Sequence, residues 1–136
     1  MPDCLFCKIV RKEIPADIIY EDEETLAFLD IKPVNPGHTL VIPKKHSTDI
    51  FEIDEEDWGA VMRTSKRVAH ALERALKPVG INLGMNNRAG AGQAVFHAHV
   101  HVMPRQAKDG HEIWKSRPGA ADQNKAVAEK IRNAIR

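Results

Sequence analysis

The stretch Val95-Phe96-His97-Ala98-His99-Val100-His101-Val102-Met103-Pro104 places three histidines at alternate positions, separated by small or apolar residues. Strict alternation over this length predicts a β-strand, whose successive side chains point to opposite faces of a sheet. One face would be apolar and would pack on the core through Phe96, Ala98, Val100 and Val102. The opposite face would carry His97, His99 and His101, with neighbours roughly 6.5–7 Å apart. The predicted strand therefore presents a row of three imidazoles.

This row of imidazoles has two functional interpretations. Alternating histidines on one strand can chelate a single metal ion, as a catalytic zinc hydrolase would require. Alternatively, one histidine is a nucleophile, while its neighbours orient it, hold charge or bind a separate metal. A plain surface strand would not concentrate three of the seven histidines of the chain on one face. The spacing alone leaves both functional interpretations open.

The composition is that of an ordinary globular domain. The chain has 136 residues, of which 43% are hydrophobic and 29% are charged, and its formal net charge is +1. A charge so near zero gives no global attraction to nucleic acid or to a membrane surface. No run approaches the roughly 18 apolar residues of a membrane span, and the N-terminus does not resemble a signal peptide. We therefore expect a cytosolic protein.

The remaining patterns predict an α+β fold, with an antiparallel sheet of about five strands, one long helix and a C-terminal extension. Apolar residues recur at helical spacing over 54–77, and Asp54 is the expected N-cap of that helix. We assign 1–105 to the main domain and 106–136 to a C-terminal arm and helix of the same domain. The other predicted elements are a short helix or turn at 4–12 and strands at 18–20, 25–31, 39–42 and 81–86.

The glycine-rich segment 87–93 leads directly into the histidine strand. Glycines allow backbone N–H groups to approach a bound oxyanion closely, and Gln93 adds a side-chain donor. No Lys-Ser or Lys-Thr pair follows the glycines, which excludes a Walker-type loop. Next to three histidines, this segment predicts a phosphate-binding position.

Taken together, these motifs resemble the Hint branch of the histidine triad (HIT) family. The segment His97–Met103 matches the His-φ-His-φ-His-φ-φ motif of that family, in which φ is an apolar residue. Three further segments match at the expected spacing, namely Phe28–Ile31, Gly37–His46 and Gly90–Gln93. The resemblance covers the chain from about Cys4 to Arg105. It implies the HIT-like fold and a homodimer formed through the long helix and the sheet.

The resemblance implies a hydrolase or transferase that acts at the α-phosphate of a purine nucleotide. His99 matches the nucleophile, which would form a nucleotidyl-histidine that water then hydrolyses. His101 would lie near the phosphate and the leaving group, while Gln93 and the backbone around Gly92 would stabilise charge on the phosphoryl group. Adenosine phosphoramidates, aminoacyl adenylates and dinucleoside polyphosphates all contain the AMP half that such a site recognises.

The same resemblance assigns the contacts to the nucleotide. Asp30 matches the carboxylate that accepts hydrogen bonds from the ribose hydroxyls, and Asn86 matches a residue near the phosphate. Aromatic and aliphatic side chains would wall the base. The predicted catalytic residues are His99, His101 and Gln93, and the predicted nucleotide-binding residues are Phe6, Phe28, Asp30, Ile31, Asn86, Gly92, Gln93, His99 and His101.

The two cysteines, Cys4 and Cys7, form a C-x-x-C pair, which in a reducing compartment favours metal binding or redox chemistry over a structural disulfide. Some bacterial members of the family hold a structural zinc ion, and the matching residues here are Cys4, Cys7, His46 and His97. A Cys2His2 set makes a closed tetrahedral site with no open position for catalysis. Without the family, His38 competes with His46 for the fourth position.

Two parts of the chain depart from the pattern of the family or extend beyond it. Ala94 stands where many Hint members have a serine that contacts the phosphate or the leaving group. The arm from Gln106 onward, with Trp114, corresponds to a segment that shapes the site across the homodimer in the family. Two other functions remain open from the sequence. They are a nucleotide-binding regulatory protein with little turnover, and a zinc-dependent hydrolase that uses the three histidines on one metal.

Overall fold

A five-stranded antiparallel sheet forms the centre of the molecule, as predicted from the sequence. The structure is a computed structural model that describes residues 3–136. The strands follow the order β1-β2-β3-β5-β4 across the sheet, and every neighbouring pair is antiparallel. The strands are β1 (Ile18–Glu21), β2 (Thr25–Leu29), β3 (Thr39–Pro43), β4 (Gly80–Gly84) and β5 (Val100–Arg105).

Three α-helices accompany the sheet: α1 (Leu5–Val10), α2 (Glu55–Leu76) and α3 (Asn124–Ala134). The predicted N-cap of α2 is confirmed, because the Asp54 carboxylate accepts a hydrogen bond from the Asp57 N–H at 2.8 Å. An acidic first turn adds a favourable interaction with the helix dipole. The helix ends at Lys77, which adopts the left-handed conformation common at helix C-termini.

The sheet is covered on both faces. On one face, α2 packs over a buried aliphatic cluster, and on the other face the short α1 covers a second, partly aromatic cluster. The alternation of β3 explains this arrangement, since Val41 points to the α2 side while Leu40 and Ile42 point to the α1 side. The α2-side cluster contains Ala27, Val41, Val61, Val68, Leu72, Val100 and Val102. The α1-side cluster contains Phe6, Ile9, Leu26, Phe28, Leu40 and Ile42.

The histidine strand is shorter than its alternation predicts. Regular pairing begins only at Val100, and Phe96, which we expected in the core, is 48% exposed. The ladder stops because the opposing strand ends at Pro43, which has no N–H to donate. Instead, the N–H of Ala98 donates to the Ser47 carbonyl at 2.7 Å. The prediction of a strand from Val95 was therefore wrong, although Ala98, Val100 and Val102 are buried as expected.

Beyond β5 the chain forms an irregular arm and then α3, in agreement with the predicted C-terminal extension. No residue of α3 is buried. The arm is attached near its start, where Arg105 and Asp109 form an ion pair with an Nε–Oδ2 distance of 2.7 Å. Over residues 3–136, none of the helices has the length and apolar character needed to cross a membrane.

Candidate active site and metal centre

The three histidines of the alternating segment lie on the α1 side of the sheet, and each faces a different partner. His97 is fully buried and faces the two cysteines. His99 is 7% exposed and packs edge-on against Phe6, with ring centroids 5.1 Å apart. His101 faces His38. The same residue type therefore meets three different chemical environments within five positions.

The His97 end holds the four residues that were predicted to bind metal. Their ligand atoms, in Cys4, Cys7, His46 and His97, all lie within 4.8 Å of one another. The Nδ1 atom of His97 is 3.4 Å from Cys4 Sγ and 3.6 Å from Cys7 Sγ, and Nδ1 of His46 is 3.3 Å from Cys7 Sγ. A tetrahedral zinc ion, with about 2.3 Å to sulfur and 2.0–2.1 Å to nitrogen, requires sulfur–nitrogen separations of about 3.5 Å. These three sulfur–nitrogen separations are close to that value, so the residues present fit such an ion.

The second ring nitrogen of His97 supports this assignment. Its Nε2–H donates to the Pro43 carbonyl at 2.8 Å, which leaves the Nδ1 lone pair pointing at the thiols. Histidine ligands usually donate their other nitrogen to an acceptor in this way. His38, the alternative fourth ligand, belongs to a separate group with Asp30 and His101. Among residues 3–136, no metal-ligand group contains all three histidines of the alternating segment.

The orientation of His99 is fixed by the backbone. Its Nδ1–H donates to the His97 carbonyl at 2.7 Å, so the proton resides on Nδ1. In the neutral ring, Nε2 then carries the free lone pair. The His97 carbonyl is therefore the fixed acceptor that a histidine nucleophile needs. His97, whose Nδ1 faces the two thiols, thus orients the neighbouring imidazole through its main chain.

A second chain of polar side chains runs from Asp30 through His38 to His101. The Val34 N–H donates to His38 Nδ1 at 3.1 Å, so the proton of a neutral His38 is on Nε2. That Nε2–H lies 2.9 Å from His101 Nδ1 and 3.5 Å from Asp30 Oδ2. His101 Nδ1 accepts, and the proton of His101 is therefore on its own Nε2. A metal ion at this group would need a lone pair at His38 Nε2, which the Val34 N–H opposes.

Burial keeps these imidazoles neutral. It lowers the pKa of His101 to about 4, with a further contribution from neighbouring His99. Burial also lowers the pKa of His99 and the pKa of His38, although nearby Asp30 acts in the opposite direction on both. The rings are consequently uncharged near pH 7.

The residues predicted to contact the base and the ribose differ in their exposure. Phe6 and Phe28 are buried and pack edge to face with centroids 5.3 Å apart, so they form a rigid apolar wall. Asp30 has 19% of its side chain exposed, and its Oδ1 accepts a hydrogen bond from the Lys32 N–H at 2.9 Å. Ile31 is 88% exposed. Any contact of Ile31 with a base would therefore occur at the rim of the site.

The glycine-rich segment forms a tight turn next to Asn86. A single 3-10 turn spans Ala89–Ala91, and Gly92 follows with a φ of 98°, a value that favours glycine. A Cβ at Gly92 would lie 3.4 Å from the side-chain nitrogen of Asn86, so these two predicted phosphate contacts are neighbours. Asn86 also lines a cavity of about 460 Å³ beside His38 and His101, which the arm borders through His111 and Trp114.

The Gln93 carboxamide forms three hydrogen bonds with backbone groups. Its Nε2 donates to the Thr48 carbonyl at 2.6 Å and to the Val95 carbonyl at 3.1 Å. Its Oε1 accepts from the Arg88 N–H at 2.7 Å. The side chain thus ties the glycine-rich turn to the segment after β3.

Comparison with known proteins identifies the fold and the motif. Residues 11–108 match the HIT domain. The chain belongs to the HIT domain family. It is 36% identical over 135 residues to the adenosine 5'-monophosphoramidase hnt1 of Schizosaccharomyces pombe, with 98% of each chain covered. The family that the sequence motifs predict is therefore confirmed.

Solved structures agree with the HIT fold. A HIT family protein from Bacillus anthracis has a TM-score of 0.90 and 40% identity, with 98% of each chain covered. A Zn-bound histidine triad family protein from Mycobacterium smegmatis has a TM-score of 0.78 and 36% identity, covering 98% of this chain and 99% of that one.

One functional feature of this HIT domain was missed by the sequence interpretation. His38 was considered only as an alternative metal ligand, whereas the structure joins it to His101 and Asp30. The sequence contained an indirect signal, because His38 immediately precedes the predicted strand 39–42, which the structure pairs with β5. The tautomer of His38 depends on a backbone N–H, which no side-chain pattern reports.

Proposed function

We propose that this HIT domain hydrolyses purine nucleotides at the α-phosphate through a covalent intermediate on His99. The observation that carries the proposal is the 2.7 Å hydrogen bond from His99 Nδ1 to the His97 carbonyl. A neutral imidazole with its proton held on Nδ1 offers Nε2 as a nucleophile that needs no further activation. Adenosine phosphoramidates or dinucleoside polyphosphates are the proposed substrates, and the phosphoramidase relative supports the former.

The proposed reaction has two displacements at phosphorus. In the first, the Nε2 lone pair of His99 forms a bond to phosphorus as the bond to the leaving nitrogen or oxygen breaks, and an amine departs after taking one proton from solvent. In the second, water attacks phosphorus and the bond to His99 breaks. This step yields the nucleoside monophosphate, restores neutral His99 and returns one proton to solvent.

Neighbouring groups would stabilise charge and orient the substrate. Nε2–H of His101 is available as a hydrogen-bond donor to the reacting phosphate group, because its Nδ1 is occupied by His38. We assign Asp30 to the ribose hydroxyls and Phe6 and Phe28 to the base. For Gln93 we propose an indirect role, since its amide holds the glycine-rich turn whose N–H groups would face the phosphate.

We infer that the cluster of Cys4, Cys7, His46 and His97 holds a structural zinc ion. The support is the tetrahedral spacing of the four ligand atoms and the Zn-bound structural relative. The ion would neutralise the thiolates and fix α1 against the sheet, and the closed ligand set leaves it no position for substrate. A homodimer and a cytosolic location remain predictions from the sequence.

The test is the release of AMP from adenosine 5'-phosphoramidate by wild type, His99→Ala and His70→Ala, with and without a chelator. His70 is an exposed histidine on α2 and serves as the matched control. We expect the His99 variant to lose about a thousandfold or more in kcat, with the control unchanged. Rapid-quench mass spectrometry at alkaline pH should find the nucleotidyl adduct on His99.

Two results would overturn the proposal. Immediate loss of activity on metal removal from a still folded protein would favour zinc-dependent hydrolysis. Tight AMP binding without turnover in wild type would favour the regulatory function instead.

A further inference from the structure

A single residue, Val34, connects the C-terminal arm to the histidines of the site through its N–H and its carbonyl. Its N–H donates to His38 Nδ1 at 3.1 Å. The carbonyl of the same residue accepts a hydrogen bond from the Nε2–H of His111 at 2.8 Å. The carbonyl of Val34 is therefore held by the arm, and its N–H sets the tautomer of the buried His38 imidazole.

His111 is itself held in place through its backbone. Its N–H donates to Asp109 Oδ1 at 3.0 Å, and its carbonyl accepts from Arg105 Nη2 at 2.8 Å. Asp109 is the centre of this cluster, since its other oxygen accepts from Arg105 Nε at 2.7 Å and from the Asn35 side chain at 3.0 Å. Asn35 directly follows Val34. The arm thus forms hydrogen bonds with two adjacent residues, Val34 and Asn35.

The position of the Val34 N–H decides where two protons lie. With that N–H at His38 Nδ1, the neutral His38 ring carries its proton on Nε2 and donates to His101 Nδ1. His101 then carries its proton on Nε2. If the Val34 N–H turned away from the ring, His38 Nδ1 could take the proton, Nε2 would become an acceptor, and His101 would have to protonate Nδ1 to keep the hydrogen bond. His101 would then present a lone pair, rather than an N–H, to the phosphate.

We propose that His111 is a positioning residue that fixes the proton of His101 through the backbone of Val34. The carbonyl and the N–H of Val34 belong to adjacent peptide groups that meet at its Cα, so a hydrogen bond that holds the carbonyl restricts the backbone rotations that would turn the N–H away from His38. His111 acts without touching the substrate, and its effect passes through Val34, His38 and His101 in turn. The expected effect on kcat rests on the proposed function. The expected effect on the tautomers of His38 and His101 does not depend on any reaction.

The experiment combines ring ¹⁵N NMR with kinetics on the full chain. His111→Phe keeps a ring but removes the donor, and His111→Gln keeps an amide N–H donor. Lys115→Ala, an 84% exposed position on the same arm, is the matched control. We expect wild-type, His111→Gln and control spectra to show His38 and His101 protonated at Nε2. In His111→Phe, both rings should populate the Nδ1–H form, and kcat for AMP release should fall about fivefold with KM little changed.

The outcomes separate this inference from the proposed function. Unchanged tautomers in folded His111→Phe and in a second variant, His111→Ala, would overturn the inference whatever the activity. An equal loss in His111→Gln would also overturn it, because the donor would then be irrelevant. Wild type that shows the Nε2–H tautomers but no turnover would overturn the proposed function alone.

Discussion

The two ends of the histidine segment use the same side chain in opposite ways. At one end, His97 donates Nε2–H to the Pro43 carbonyl, so its Nδ1 lone pair meets two thiols. At the other end, His38 accepts the Val34 N–H, so the lone pair of His101 Nδ1 meets an N–H. In each case a main-chain group decides which ring nitrogen remains available. The Pro43 carbonyl leaves His97 Nδ1 with a lone pair towards the thiols, and the Val34 N–H leaves His38 Nε2 with a proton towards His101.

This difference shows why three adjacent histidines need not share one ion. Imidazole is a ligand, a nucleophile or a donor according to the atom that binds its second nitrogen. His99, between the two ends, is bonded to a carbonyl like His97 but has Phe6 rather than sulfur beside it. Its Nε2 lone pair is the nucleophile of the proposed reaction.

The largest expected effect is the loss of zinc from a variant at the His97 end, compared with a variant at the His101 end. We expect His46→Asn to lose zinc and to lower the free energy of unfolding by about 3 kcal/mol, because it opens a closed ligand set. His38→Asn, its matched control, should retain zinc fully. Metal analysis of the purified proteins and urea unfolding measure both quantities. Zinc loss in the His38 variant would show that the two ends are a single metal centre.

An intermediate effect is expected from the turn that carries His38. Gly37 has a φ of 97°, and a Cβ there would lie 2.5 Å from Leu76 Cδ1. Gly37→Ala should therefore lower the free energy of unfolding by about 1–3 kcal/mol and reduce activity, while zinc content stays unchanged. Gly80→Ala, where a Cβ meets nothing within 4 Å, should be nearly neutral. Equal stability of the two variants would contradict the rigid packing of this turn.

The smallest expected effect is a pH dependence at the His101 end. An unfolded histidine binds its proton near pH 6.5, whereas the pKa of folded His101 is about 4. Between these values the unfolded state holds more protons, so the free energy of unfolding falls as the pH drops from about 6.5 to 4. His101→Asn should reduce this loss by about 1 kcal/mol between pH 7 and pH 5. Urea unfolding at both pH values, with His70→Asn as control, measures the difference, and identical slopes in all three proteins would refute it.

Much of the fold could be predicted because each element carries its own local signal. The hairpin of β1 and β2, the capped α2 and the alternation of β5 all follow from short-range patterns. The four residues of the metal centre could be named from the family resemblance, and the structure brings their ligand atoms together. Their roles, and those of the nucleotide contacts, remain predictions.

The parts that could not be predicted depend on contacts between distant backbone groups. Phe96 continues the alternation but lies outside the ladder, because Pro43 on the opposing strand ends the pairing. The hydrogen bonds of the Gln93 side chain to three backbone groups could not be predicted from the neighbouring sequence either. Likewise, His38 acquires its tautomer from Val34, four residues before it, through a turn whose geometry only the folded chain defines.

The pairing of β3 with β5 places Leu40 opposite His101 and Val41 opposite Val100. Because side chains alternate, a slip of one residue would move His101 into the aliphatic cluster under α2 and turn Val100 and Val102 towards Phe6. The burial of Val100 and Val102 under α2 therefore fixes the register on which the position of His101 depends. An insertion or a deletion within β5 is therefore expected to disturb the packing of the core and the position of His101 together.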